Sequence, residues 1–192
     1  MPNNQDWVTF CPPEIRDKLR KMLDYPPGTP DSEKIYNYVF IDEFADPNYV
    51  GHTDPDAITP DKIKDYRKFA AAWGKYAEAL TARHLLCKGF PIREWNWRPP
   101  GKGRGEIDLI TQHGNRIIFV EVKARCGKHT DPWDAIDEKK RRDLCRGADI
   151  YLRMQREDYE YQFDVALLTG DCYNYEFEYI EDAFLAPLSL FK

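Results

Sequence analysis

Cysteine is sparse and badly spaced for chemistry. The five, Cys11, Cys87, Cys126, Cys145 and Cys172, are odd in number, scattered, and never arranged C-x-x-C. That argues against a disulfide framework or a structural zinc site and leaves free thiols. Histidine is scarce too, and His84 and His129 have no ligand spacing. No apolar run approaches the roughly 18 residues that a membrane span requires. The opening Met-Pro-Asn-Asn-Gln-Asp lacks a basic n-region and an apolar h-region, so no secretory signal is expected and the cytoplasm is the expected compartment. A surplus of positive charge is also missing. The formal charge of −5 argues against the uniform positive field of a passive DNA coat, although it says little about a local groove.

With 192 residues, 42% hydrophobic, 32% charged and 14% aromatic, the chain has the composition of a soluble globular protein. It is long enough for one ordinary domain, or one domain with an extension. Residues 1–58 read as an N-terminal extension, punctuated by Pro12, Pro13, Pro26, Pro27, Pro30, Pro47 and Pro55. Within it, Ile15, Leu19, Met22 and Leu23 share one face of a short amphipathic helix, while Ile35 to Phe44 suits either a strand or a helix. Its acids, Asp42, Glu43, Asp46, Asp54 and Asp56, read as a solvated loop. Residues 59–192 form the expected main domain.

That domain opens on a helix with Thr59 as N-cap, Pro60 at the first position, and Ile58 and Ile63 as a hydrophobic staple. The helix runs to Gly89, roughly 42 Å at 1.5 Å per residue, long enough to break near its middle. Phe69, Trp73, Tyr76, Leu80 and Cys87 make one stripe; Ala71, Gly74, Glu78, Ala82 and Leu85 make the other. Small residues one turn either side of Glu78 would let the backbone approach a sheet and carry this acid into a packed layer. The alternative is an exposed Glu78 between two apolar stripes.

Phe90 to Trp97 reads as the first strand. Arg98 to Arg104 is a basic, glycine-rich loop suited to phosphates, or else simply solvated. It leads into Gly105–Arg125, which reads as a β-hairpin: Ile107, Leu109, Ile118, Val120 and Val122 alternate around His113-Gly114-Asn115. This pattern predicts one apolar face and one charged face. With the turn centred between Gly114 and Asn115, Asp108 lies opposite Glu121 and Glu106 opposite Lys123. Two carboxylates about 5 Å apart repel by roughly 3 kcal/mol at an effective dielectric near 20. A divalent cation, Lys123, or a proton retained by one acid could offset this. The bland alternative pairs Glu106 with Lys123 and splays Asp108 and Glu121 into water.

Residues 124–133 read as a loop and 134–156 as a helix with Ile136, Lys140, Leu144, Ala148 and Tyr151 on one face. A lysine in an apolar stripe commonly snorkels to solvent, the expected outcome for Lys140; the alternative is projection over the sheet toward a phosphate. Tyr161 to Leu168 reads as a buried strand, Thr169 to Asp171 as a turn, and Tyr173 to Ile180 as a last strand before an Ala183-Phe184 tail.

Taken in order, these segments resemble the YraN family of endonuclease-like proteins, within the PD-(D/E)xK, restriction-endonuclease-like superfamily. The resemblance covers about residues 70–186. It is carried by Gly74, Glu78, Ala82 and Leu85; Asn96, Trp97 and Arg98; Gly105 to Ile110; Phe119 to Lys123 with Arg125; Lys140, Leu144, Ala148, Tyr151 and Leu152; Phe163-Asp164-Val165; and Ala183-Phe184. Ala77 and Gln162 depart from the usual Gly and Arg of the pattern, and the N-terminal extension is an addition.

The resemblance implies an α/β fold, a restriction-endonuclease-like mixed β-sheet flanked by helices. It also implies that Asp108 and Glu121 ligate a metal, Mg²⁺ or Mn²⁺, with Lys123 beside the nucleophile and Glu78 as an accessory acid. DNA is the implied partner, cut at its phosphodiesters, with branched DNA implied by analogy with the resolvases of the superfamily. Hydrolysis of such a bond suits a hard cation on paired carboxylates, with a compact ammonium near the attacked phosphate. Arg98, Lys102, Arg104, Arg125 and Lys140 are the candidate nucleic-acid contacts. The rival reading is a non-catalytic nucleic-acid-binding or protein-interaction module on the same fold. Oligomeric state, and any protein partner of the extension, stay open.

Overall fold

Arg116-Ile-Ile-Phe-Val-Glu-Val-Lys-Ala-Arg125 is too continuously apolar for a strand that wets one face, and its position in the fold explains why. In the computed structural model it is the middle strand of a five-stranded sheet with a helix on either side. The structure describes residues 60–101, 105–125, 136–170 and 175–186, together with 13, 15 and 17–19; side chains are described from residue 71 onward and at those five N-terminal positions. Most of residues 1–58, the Thr59 cap and the loops around 102–104, 126–135 and 171–174 therefore lie outside the described residues.

The elements are α1 (Pro60–Cys87), β1 (Ile92–Trp97), β2 (Ile107–His113), β3 (Arg116–Arg125), α2 (Glu138–Arg153), β4 (Glu160–Gly170) and β5 (Tyr175–Ile180). The strands lie side by side in chain order. All neighbours are antiparallel except β3 and β4, which run parallel with α2 in the connection between them. The sheet is thus mixed and the class α/β, as expected. Among the described residues no helix is long and apolar enough to cross a membrane.

α1 is one unbroken helix of 28 residues. It stops where the sequence says it should: Gly89 adopts φ +81°, the Gly89 N–H bonds to Leu86 O at 2.9 Å and the Phe90 N–H to Leu85 O at 3.0 Å, a Schellman closure. The two stripes merge into one broad buried face, since Trp73, Tyr76, Leu80, Ala82 and Leu85 belong to a single cluster against the sheet. Ala71 and Cys87 are exposed, and a Cβ at Gly74 would meet nothing within 4 Å. Close approach is made instead by Ala77, Ala79 and Ala82, all 0% exposed.

Both faces of the hairpin are covered, a correction to the expectation of one apolar and one charged face. Ile118, Val120 and Val122 pack beneath α1, while Ile117 and Phe119 pack beneath α2. Ile107 and Leu109 go to different sides, because the entry to β2 is drawn onto α2 at a backbone crossing. There a Cβ on Gly105 would lie 2.9 Å from the Asp143 carbonyl oxygen, and one on Gly147 would fall onto the Gly105 carbonyl oxygen.

Other boundaries shift for local reasons. β1 begins at Ile92, since Pro91 cannot donate to the ladder. α2 begins at Glu138 because Asp137 caps it, its carboxylate accepting the Lys140 N–H at 2.7 Å. β4 extends through Gly170, and Tyr161 near its start is exposed rather than buried. Gln162, at the position that departs from the family pattern, donates to Asp164 at 2.7 Å and accepts from Arg116 at 3.0 Å. Asp164 also takes the Tyr179 hydroxyl at 2.6 Å and the Asp182 N–H at 2.9 Å, which anchors the turn after β5.

Candidate active site

The ladder between β2 and β3 runs from His113 opposite Arg116 to Leu109 opposite Val120, the register expected from the hairpin turn. One residue further from the turn, Asp108 reaches across with its side chain. Its carboxylate accepts the Val122 N–H at 2.8 Å, which holds it beside Glu121. Glu121 belongs to the α2 side of β3 and is 1% exposed. An unpaired carboxylate buried to that extent would cost several kcal/mol.

Two lysines compensate it. Lys123 Nζ lies 2.7 Å from Oε1, and Lys140 Nζ lies 2.9 Å from Oε2. Each oxygen of this buried carboxylate thus faces its own ammonium, Lys123 on one side and Lys140 on the other. Lys140 therefore does not snorkel away. Leu144, Ala148 and Tyr151 are buried on the same face of α2, with Ile136 just before the helix in the same cluster; they aim Lys140 at the sheet, and the buried carboxylate captures the ammonium. The pairing of Glu106 with Lys123 is likewise replaced: Arg98 Nη2 contacts both Glu106 oxygens, at 2.9 and 3.0 Å.

Electrostatics follow from this crowding. Burial, and then the charge of Glu121, push Asp108 up to about 8; the Val122 N–H and Lys140 oppose that rise. Lys140 is pulled down by burial, yet Glu121, Asp108 and Glu106 leave it raised overall. Glu78 approaches from α1, near enough to add to the upward push on Asp108. Burial raises Glu78 itself, against two hydrogen bonds to its Oε2 from Trp95 Nε1 at 2.6 Å and Asn96 Nδ2 at 2.9 Å.

Trp95 and Asn96 were not singled out in the sequence as holders of Glu78. Asn96 sits at φ +54°, a left-handed conformation that asparagine tolerates better than most residues, and this twist at the end of β1 presents both donors to α1. Nothing in the local pattern of a short strand announces such a twist. The Gly105–Gly147 crossing was equally hidden, since two lone glycines carry no mark of being neighbours.

Asp108, Glu121, Lys123 and Lys140 thus converge, with Glu78 alongside. Arg98 is at the rim, paired with Glu106. Arg125 ends β3 in an exposed position, beside Thr169 of β4. Lys102 and Arg104 lie outside the described residues.

Residues 77–168, from the middle of α1 to near the end of β4, match the uncharacterised protein family UPF0102. A UPF0102 protein of Phocaeicola vulgatus is 36% identical over 119 residues, which is 60% of this chain and 94% of the relative. The chain belongs to the UPF0102 family. A relative from Thermodesulfovibrio yellowstonii is 37% identical over 112 residues, 58% of this chain and 94% of its own. One from Chlorobium chlorochromatii is 36% identical over 118 residues, covering 58% and 89%. This is the family that contains YraN. The UPF0102 match takes in Glu78, Asp108, Glu121, Lys123 and Lys140.

Among the described residues no group of three or more His, Cys, Asp or Glu is arranged to hold a metal ion. The donors at Asp108 and Glu121 nevertheless suit a hard divalent cation. Both are carboxylates, and Asp108 is destabilised as an anion by its burial and then by the charge of Glu121 beside it.

Proposed function

We propose that this UPF0102 protein is a metal-dependent nuclease that hydrolyses DNA phosphodiester bonds. The single observation that carries the reading is the pairing of a partly buried Asp108 with a buried Glu121, with Lys123 2.7 Å from Glu121 on the same strand. In this reading Asp108 and Glu121 hold Mg²⁺ or Mn²⁺. The bound ion would supply the Lewis acidity that polarises a phosphoryl oxygen and acidifies water. Lys123 orients the attacking water and stabilises charge developing on the phosphate, a task that suits a mobile ammonium. Glu78 is an accessory acid fixed by Trp95 and Asn96. Lys140 and the rim cations Arg98 and Arg125 contact phosphates, as do Lys102 and Arg104.

A second reading has its own support. Lys123 and Lys140 neutralise Glu121 without a metal, so the fold could serve as a non-catalytic nucleic-acid-binding module. Single-stranded, duplex and branched DNA incubated with the protein and Mg²⁺ or Mn²⁺ separates the two. The nuclease reading expects cleavage that chelation stops and that Asp108→Ala abolishes. Binding unaffected by divalent ions, with every substrate intact, would give the case to the binding module. In this proposal the chemistry is carried by residues 59–192.

A further inference from the structure

Leu19, outside the family-matched stretch, is 0% exposed in the α1-side core, and Ile15 packs against the same cluster. The residue between them and the site is Lys18. It is exposed, and its Nζ stands 4.1 Å from the centre of the Trp95 ring, in cation–π contact. The same indole donates its N–H to Glu78 at 2.6 Å, short for an N–H···O bond. Lys18 and Glu78 also attract each other directly. An ammonium on the face of an indole draws electron density from the ring, which makes the N–H a stronger donor; hydrogen bonds in such a chain reinforce one another.

We infer that Lys18 is a positioning residue of the candidate active site, supplied by the N-terminal segment: it braces and polarises Trp95, and Trp95 in turn fixes the Glu78 carboxylate. Its importance for catalysis rests on the nuclease reading, whereas the Lys18–Trp95–Glu78 linkage does not. On this account Lys18 and its neighbour Leu19 belong to the wall of the site. Relatives matched over 89–94% of their length span only 58–60% of this chain, so the device is expected to be particular to chains with such a segment.

Two variants of the full-length, ¹⁵N-labelled protein test it. Lys18→Met keeps the stem and removes the charge; Lys18→Arg keeps the charge. The Trp95 indole N–H resonance is identified by its disappearance in Trp95→Phe. Lys18→Met should move that resonance upfield as its hydrogen bond to Glu78 weakens, and Lys18→Arg should restore it. On a DNA substrate that the wild type cleaves, Lys18→Met should lower kcat by about 2–5-fold at unchanged KM, the scale of an exposed cation–π contact. An unmoved indole resonance in Lys18→Met overturns the inference. So does an unmoved resonance with a raised KM and a flatter salt dependence, which would make Lys18 a phosphate contact instead. A shifted resonance in a protein that cuts no DNA supports the linkage and defeats the nuclease reading.

Discussion

Lys140 of α2 and Glu121 of β3 meet at 2.9 Å across the face of the sheet, one side chain from a helix with an otherwise apolar inner face and the other almost wholly buried. Each explains the other's placement. Burial of the acid demands a counter-charge, and packing of α2 delivers one. The pair also ties the candidate chemistry to the stability of the layer.

Lys140→Met keeps the length and apolar stem of the side chain and removes its charge. Breaking a buried pair typically costs about 3–5 kcal/mol. Lys123 still faces Glu121 in this variant, so the expected loss is smaller, about 1–3 kcal/mol. Urea unfolding of the variant, compared with Lys140→Met combined with Glu121→Gln, measures it; the double variant should regain part of the loss.

The pH dependence of stability carries the signature of Asp108. Its carboxyl is raised from an ordinary value of 3.8 to about 8, so the folded state keeps a proton that the unfolded chain releases. Stability is then highest below about pH 4 as far as this group is concerned, and falls as pH rises through the window toward 8. Glu78 and Asp164, also raised, act in the same direction. Lys140, also raised, loses its contribution in the same direction but only above the ordinary lysine range, outside this window. Thermal melts in chelator between pH 4.5 and 8.5 should show the decline, and Asp108→Asn, which preserves the acceptor for Val122, should flatten it. A divalent cation should raise the melting temperature of the wild type most at the alkaline end.

Gly147→Ala should be severely destabilising. The new Cβ would fall onto the Gly105 carbonyl oxygen, which is backbone and cannot rotate aside. Overpacking of this kind costs about 1–3 kcal/mol or more. Displacement of α2 should also loosen Lys140 from Glu121. Gly74→Ala is the control: its Cβ would meet nothing, and alanine favours a helix by roughly 1 kcal/mol, so a higher melting temperature is expected.

Among the rim cations, Arg125→Ala should weaken DNA binding in a sequence-independent way. Each lost phosphate contact should reduce the slope of log affinity against log salt by about 0.9 on duplex DNA. Arg98→Ala should have a smaller effect on the salt slope, because Glu106 already occupies that guanidinium. Fluorescence anisotropy across a salt series distinguishes the two.

Much of this was legible in one dimension because it depends on neighbours along the chain. Gly89 closes α1 through bonds to Leu85 and Leu86, and the His113-Gly114-Asn115 turn sets which residues of β2 and β3 face each other. That register is why Asp108 and Glu121 could be placed together from alternation alone. The Glu78 partners, by contrast, come from a twist at Asn96 that period-2 reasoning smooths away.

Alternation along β3 establishes two sets of side chains, but not whether water or a helix covers the second set. Here α2 covers Ile117 and Phe119, so Glu121 in the same row is buried, and Lys140 turns inward. Local backbone geometry operates over a few residues and leaves its mark in their order. The charge state and partners of a carboxylate depend on how much water packing removes and which distant ammonium packing brings near, so the assembled layers decided them.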